Sequence, residues 1–78
     1  MTNKEKYVKA FVDSFNISED QVSNLEYQSV ASWDSIGHMQ LIAALEDIFG
    51  IMMDADDIVD LSSFEKGKEI LKKYEIGF

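Results

Sequence analysis

Neither cysteine nor proline occurs in this chain of 78 residues, and it holds one histidine, one tryptophan and four glycines. Without thiols there is no disulfide framework and no thiolate metal site, and a single histidine leaves little with which to hold zinc. No stretch approaches the roughly 18 consecutive apolar residues that read as a bilayer span. Positive charge is scarce as well. Seven basic residues, all lysine, face 15 acids, for a formal net charge of −8. That balance argues against nucleic acid, whose phosphates select basic proteins, and against an anionic membrane surface. The opening residues Met1–Lys6 lack the apolar segment of a signal peptide, so the expected compartment is the cytosol. What the chain does have is apolar content: 46% hydrophobic is too much for a disordered acidic tail. The expectation is one domain over residues 1–78 that folds on packing alone and acts as a monomer.

Four apolar patterns divide the length, with no linker, repeat or low-complexity segment between them. Tyr7, Val8, Phe11, Val12 and Phe15 recur at i, i+1, i+4, i+5 and i+8, one stripe of a helix with a period of about 3.6 residues. Thr2 and Glu5 have capping-box spacing before it, and Asn16 ends it. From Ile17 to Asp34 the pattern follows neither a helical nor a strand period. Ser18–Gln21 can cap one short turn, and Val22, Leu25, Tyr27 and Val30 are expected to pin a long loop to the core. A loop of that length is uncommon in so small a domain unless it has a job. A second helix is expected over Ser35–Phe49, stopping at Gly50, with Leu41, Ile42, Leu45 and Phe49 buried. Asp54 is expected to cap a brief helix through about Asp60. Ser62 with Glu65 forms another capping box, opening a last helix to about Tyr74. Its inner face holds Phe64, Ile70, Leu71 and Tyr74, and Gly67 allows close helix approach. No segment alternates with strand period, so the fold class expected is all-α, a small bundle.

The lysines lie only within the first ten positions or from Lys66 onward. From Phe11 through Glu65 there are twelve acids and no lysine or arginine. A solvated acidic face would account for that in itself. However, these acids surround a second apolar line on the second helix, Ile36, Met39 and Ala43, that the core stripe does not use. An apolar strip edged by one sign of charge is the form of a docking surface for basic partners. The run Asp54-Ala55-Asp56-Asp57-Ile58 invites a calcium-loop reading and fails it. An EF-hand loop needs an oxygen ligand at its fifth position and glycine at its sixth, where this chain has Ile58 and Val59.

Trp33-Asp34-Ser35-Ile36-Gly37-His38 is the most informative stretch. Ser35 stands where an irregular segment becomes a helix, and the plain reading is an N-cap whose hydroxyl accepts from a backbone N–H. A hydrolase nucleophile is disfavoured. His38 is within reach on a helix, but the glycine-flanked serine after a strand is missing, as are a third orienting group and an oxyanion hole. A third use fits a helix N-terminus, whose unpaired N–H groups and positive dipole end favour a phosphate. Gly37 lowers helix propensity by about 1 kcal/mol relative to alanine. Its missing side chain is expected to leave room for approach to Ser35.

Asp34-Ser35-Ile36 resembles the Asp-Ser-Leu signature of acyl carrier and peptidyl carrier proteins, in which the serine accepts 4′-phosphopantetheine from coenzyme A. The resemblance runs over essentially the whole chain: the opening helix, the long loop, Asp34-Ser35-Ile36 through Ala44-Leu45-Glu46-Asp47-Ile48-Phe49-Gly50, the acidic third segment, and Leu61-Ser62-Ser63-Phe64. It implies a four-helix bundle of the acyl-carrier type, with three main helices, a short third helix and a long loop between the first two. It also implies that a phosphopantetheinyl transferase, with Mg²⁺ and coenzyme A, modifies Ser35, and that the arm's thiol carries an acyl or aminoacyl group as a thioester. Asp34 would help position the transferase with its metal ion. Ile36, Met39 and Ala43 match apolar partner contacts, and Glu46 and Asp47 match acidic recognition positions. The implied partners are the transferase, acyl- or aminoacyl-loading ligases, and acyltransferases or synthases with basic docking surfaces, while the chain itself catalyses nothing.

There are departures from the pattern. Gln40 and Ile48 replace acids common in carriers of fatty acid synthesis, and Gly37-His38 replaces the common Asp-Thr. Trp33 precedes the signature in place of small residues, and Met52-Met53 lacks a proline often found before the third helix. These differences favour a dedicated carrier of a specialised pathway. A peptidyl carrier, or an unmodified acidic adaptor, is the alternative.

Overall fold

The computed structural model describes residues 1–78 and is entirely helical: α1 (Asn3–Phe15), α2 (Ser35–Phe49), α3 (Ala55–Asp60) and α4 (Phe64–Lys72), with one 3₁₀ turn at Glu19–Gln21. α1 starts at the expected capping box: Thr2 Oγ1 accepts from the Glu5 N–H at 3.1 Å, and the Glu5 carboxylate accepts from the Thr2 N–H at 2.8 Å. It ends at Asn16, which takes the left-handed conformation (φ 54°) that asparagine tolerates better than most residues. α2 ends at Gly50 (φ 65°), where a side chain would be strained.

α1 packs along α2, and sixteen apolar side chains from α1, α2, α4 and the connections form one core, against which Ile58 of α3 packs half-buried. Tyr7, Phe11 and Phe15 line the α1 side of it, and Leu41, Ile42 and Leu45 the α2 side. Phe49, expected in the buried stripe, is half-buried at the end of α2. Gly67 gives the close approach anticipated for it. A Cβ built there would stand 2.1 Å from the Tyr7 hydroxyl, which donates to Phe64 O at 2.6 Å. Burial pushes that phenol well above its ordinary range.

The 17–34 connection is tied down more firmly than its irregular pattern shows. Val22 and Leu25 are buried, as expected, whereas Tyr27 is 39% exposed. The main anchor is Trp33, fully buried, stacked on Phe15 at 5.0 Å and edge-on to Phe11 at 5.6 Å. Farther back, the Tyr27 N–H donates to Ser62 O at 2.8 Å and the Phe64 N–H to Leu25 O at 2.9 Å. That short antiparallel bridge explains a correction at α4. The cap is Ser63, extended and bridged to Glu26, its hydroxyl accepting from the Lys66 N–H at 3.0 Å, while the Ser62 carbonyl is taken by the Tyr27 N–H. α4 ends at Lys72, and Tyr74 lies half-buried in the turn beyond it.

α3 is held chiefly by polar clamps. Asp54 is its N-cap residue by position, but its carboxylate makes no cap bond; its N–H donates to the Tyr74 hydroxyl at 2.9 Å. One turn on, Asp57 is 4% exposed and pairs with the Lys73 ammonium and with the Tyr74 hydroxyl, the latter at 2.6 Å. The hydrogen bond from Lys73, then that from Tyr74, holds the Asp57 carboxyl below the usual carboxylate range, and Lys73 is raised in return. No helix is long and apolar enough to cross a membrane.

Candidate functional site

Three consecutive tethers deliver the chain into α2. Ser32 Oγ donates to Phe15 O, at the end of α1, at 3.0 Å. Trp33 fills the core. Asp34 then takes the N-cap, its carboxylate accepting from the Gly37 N–H at 2.8 Å. Ser35 is therefore not the cap, contrary to the plain sequence reading. It is the first helical residue, exposed, and its hydroxyl is left out of the capping interaction. Two cap-forming residues stand side by side, and the aspartate has taken the role.

Gly37 also differs from expectation. It is buried, and a Cβ there would fall 1.9 Å from Ser32 O, so the glycine is required by close packing of α2 on the connection. It does not open space above Ser35. His38, one residue on, is half-buried with both ring nitrogens engaged: Trp33 Nε1 donates to Nδ1 at 3.0 Å, and Nε2 lies 2.7 Å from Ile58 O on α3. Neither nitrogen is free to accept the Ser35 proton.

Ser35 opens onto a groove of about 370 Å³ between α2, α3 and the connection. Tyr27, His38 and Met39 line one side, and Ile58, Val59 and Leu61 the other. Of the groove's lining, Met39 is 53% exposed and Val59 80%; Ile36, next to Ser35, is 71% exposed, and Met52, in the turn after α2, 87%. Ala43 is exposed farther along α2. Met53, by contrast, is buried in the core. The excess apolar line on α2 is thus solvent-facing, and α3 widens it with Val59, a contributor the sequence pattern did not single out.

Of the two acids on the outer part of α2, Asp47 is exposed, whereas Glu46 is half-buried and accepts from the Met53 N–H at 2.9 Å. Glu46 fixes the turn between α2 and α3. No group of three or more acids and histidine is placed to hold a metal ion. What the site offers chemically is one accessible primary hydroxyl at a helix start, with no base directed at it. Comparison with protein-family models, curated proteins and solved structures finds no match to this chain.

Proposed function

We propose that this chain is an acyl carrier protein, with Ser35 as the attachment point for 4′-phosphopantetheine. The observation that carries the reading is the uncommitted Ser35 hydroxyl, exposed at the first residue of α2 because Asp34 has taken the cap. The residues fit the group. The Ser35 and Ile36 amides, first in the helix, have no intrahelical acceptor and would face a phosphodiester on Ser35 Oγ, where the dipole end favours negative charge. Asp34 spends its carboxylate on the Gly37 N–H, which moderates its repulsion of that phosphate. When bound, the arm supplies a thiol that holds an acyl group as a thioester. Ile36, Met39 and Ala43 give partner enzymes an apolar footing, and Asp47 gives a charge for their basic docking surfaces to find. In this reading the chain is a four-helix carrier bundle that works in the cytosol and catalyses nothing. Its departures from the resemblance favour a dedicated carrier of a specialised pathway.

Incubation of the unmodified chain with a promiscuous phosphopantetheinyl transferase, Mg²⁺ and coenzyme A tests this. The intact mass should rise by one phosphopantetheine in the wild type and stay unchanged in Ser35→Ala. No gain in the wild type, or an equal gain in both, contradicts the proposal and leaves an unmodified acidic adaptor using the same apolar strip.

A further inference from the structure

The neighbours of His38 dictate where its proton sits. An indole N–H only donates, so His38 Nδ1, 3.0 Å from Trp33 Nε1, must accept and carries no proton. The proton of the neutral ring is then on Nε2, donated to Ile58 O at 2.7 Å. The ring thus joins the connection before Ser35 to α3 across the groove, and it does so only in one tautomer of its neutral form.

We propose that His38 is a proton-sensitive strut controlling the segment that leads into Ser35. A proton added at Nδ1 sets N–H against N–H and breaks the bond to Trp33, while the Nε2–H bond to Ile58 O survives. Trp33 is fully buried and its Nε1 has no second acceptor, so its anchorage weakens from within. Because Trp33 stands two residues before Ser35, this loosening is transmitted to the start of α2, whereas α3 stays tethered.

The charged and titratable groups around the ring are few. Asp34, on its own helix, is engaged with the Gly37 N–H, and its carbonyl accepts from the His38 N–H at 2.7 Å. Tyr27, on the connection, lies edge-on at 5.8 Å. On α3, Asp57 and Asp60 flank the Ile58 region, and Asp57 is tied to Lys73 and Tyr74 from beyond α4. Acidification that places a proton on Nδ1 removes the Trp33 bond.

The chain has a single tryptophan, so its indole N–H gives one unambiguous NMR signal. The experiment uses the Ser35→Ala chain, so that its result is independent of any modification at Ser35. On acidification from neutral pH, one transition should move the indole N–H signal away from its hydrogen-bonded position. Exchange of that proton with solvent should rise on the order of tenfold, the scale of one lost hydrogen bond. His38→Gln, which keeps an acceptor that does not titrate, should abolish the transition. No transition, or the same transition in His38→Gln, overturns the proposal and assigns any change to the carboxylates. If that variant fails to fold, the imidazole nitrogen signals at neutral pH decide. Protonation at Nε2 alone supports the strut, and a proton on Nδ1 refutes it.

Discussion

Ser35 and Gly37 lie two residues apart and differ in what a methyl-sized change should do. Ser35→Ala removes a hydroxyl that caps nothing, so its effect on thermal stability should be small, within about 0.5 kcal/mol, as for other exposed sites. Gly37→Ala in a free-standing helix would gain about 1 kcal/mol of propensity. Here the new Cβ meets a backbone oxygen, Ser32 O, at 1.9 Å, and backbone cannot swing aside as a side-chain tip can. Overpacking of this kind costs roughly 1–3 kcal/mol, so Gly37→Ala should lower the melting temperature. A raised melting temperature would show that the connection yields easily. Gly67 supplies a partner case. Gly67→Ala should destabilise less in a Tyr7→Phe background, because the nearest obstructing atom is the Tyr7 hydroxyl and the next, the ring Cζ, is at 3.2 Å. A double-mutant cycle of thermal unfolding measures that coupling, and strict additivity would contradict the contact.

At the scale of elements, α3 is the piece whose position depends most on charge. The Asp57 carboxyl is held below its ordinary range, so its contribution is full above that range and is lost as pH falls through the lowered value. Lys73 is raised by the same pair, so its share is full below the ordinary lysine range and lost as pH rises through the raised value. Asp57→Asn should therefore lower the melting temperature most across the neutral range, with the gap to wild type closing towards strong acid and strong alkali. A gap of constant size would mean that the carboxylate charge contributes nothing. Helices were legible in the sequence wherever local rules act alone: the apolar period and the Thr2–Glu5 box set α1, and Gly50 stops α2. Legibility failed where two capping residues adjoin. Ser62 has the better spacing to Glu65, yet the Tyr27 N–H takes its carbonyl and the cap moves to Ser63. Asp34 displaced Ser35 in the same way. The His38–Ile58, Asp57–Lys73 and Asp57–Tyr74 contacts join residues 16 to 20 positions apart, beyond what local pattern reports.

For the molecule as a whole, segregation of charge is the dominant feature: twelve acids and no lysine or arginine from Phe11 through Glu65, with the lysines on the terminal segments. Such crowding destabilises the compact state by self-repulsion. Millimolar Mg²⁺ should consequently raise the melting temperature above that of a monovalent salt at matched ionic strength, and equal temperatures would argue that the acids are too dispersed to matter. The same field should steer basic partners. Asp47→Lys tests this more cleanly than Glu46→Lys, since Glu46 also holds the Met53 N–H and its loss would disturb the α2–α3 turn. Asp47→Lys should slow association with the transferase, more so at low salt, with little change in dissociation. The candidate site was readable as a place, because Asp34-Ser35-Ile36 sits at a helix start; the freedom of its hydroxyl was not, since that depends on which neighbour caps. The decisive measurement is fragment-level mass spectrometry of the chain after reaction with transferase and coenzyme A. The account predicts one phosphopantetheine on Ser35 and none on Ser29 or Ser32. An unmodified chain, or the group on another hydroxyl, would contradict it.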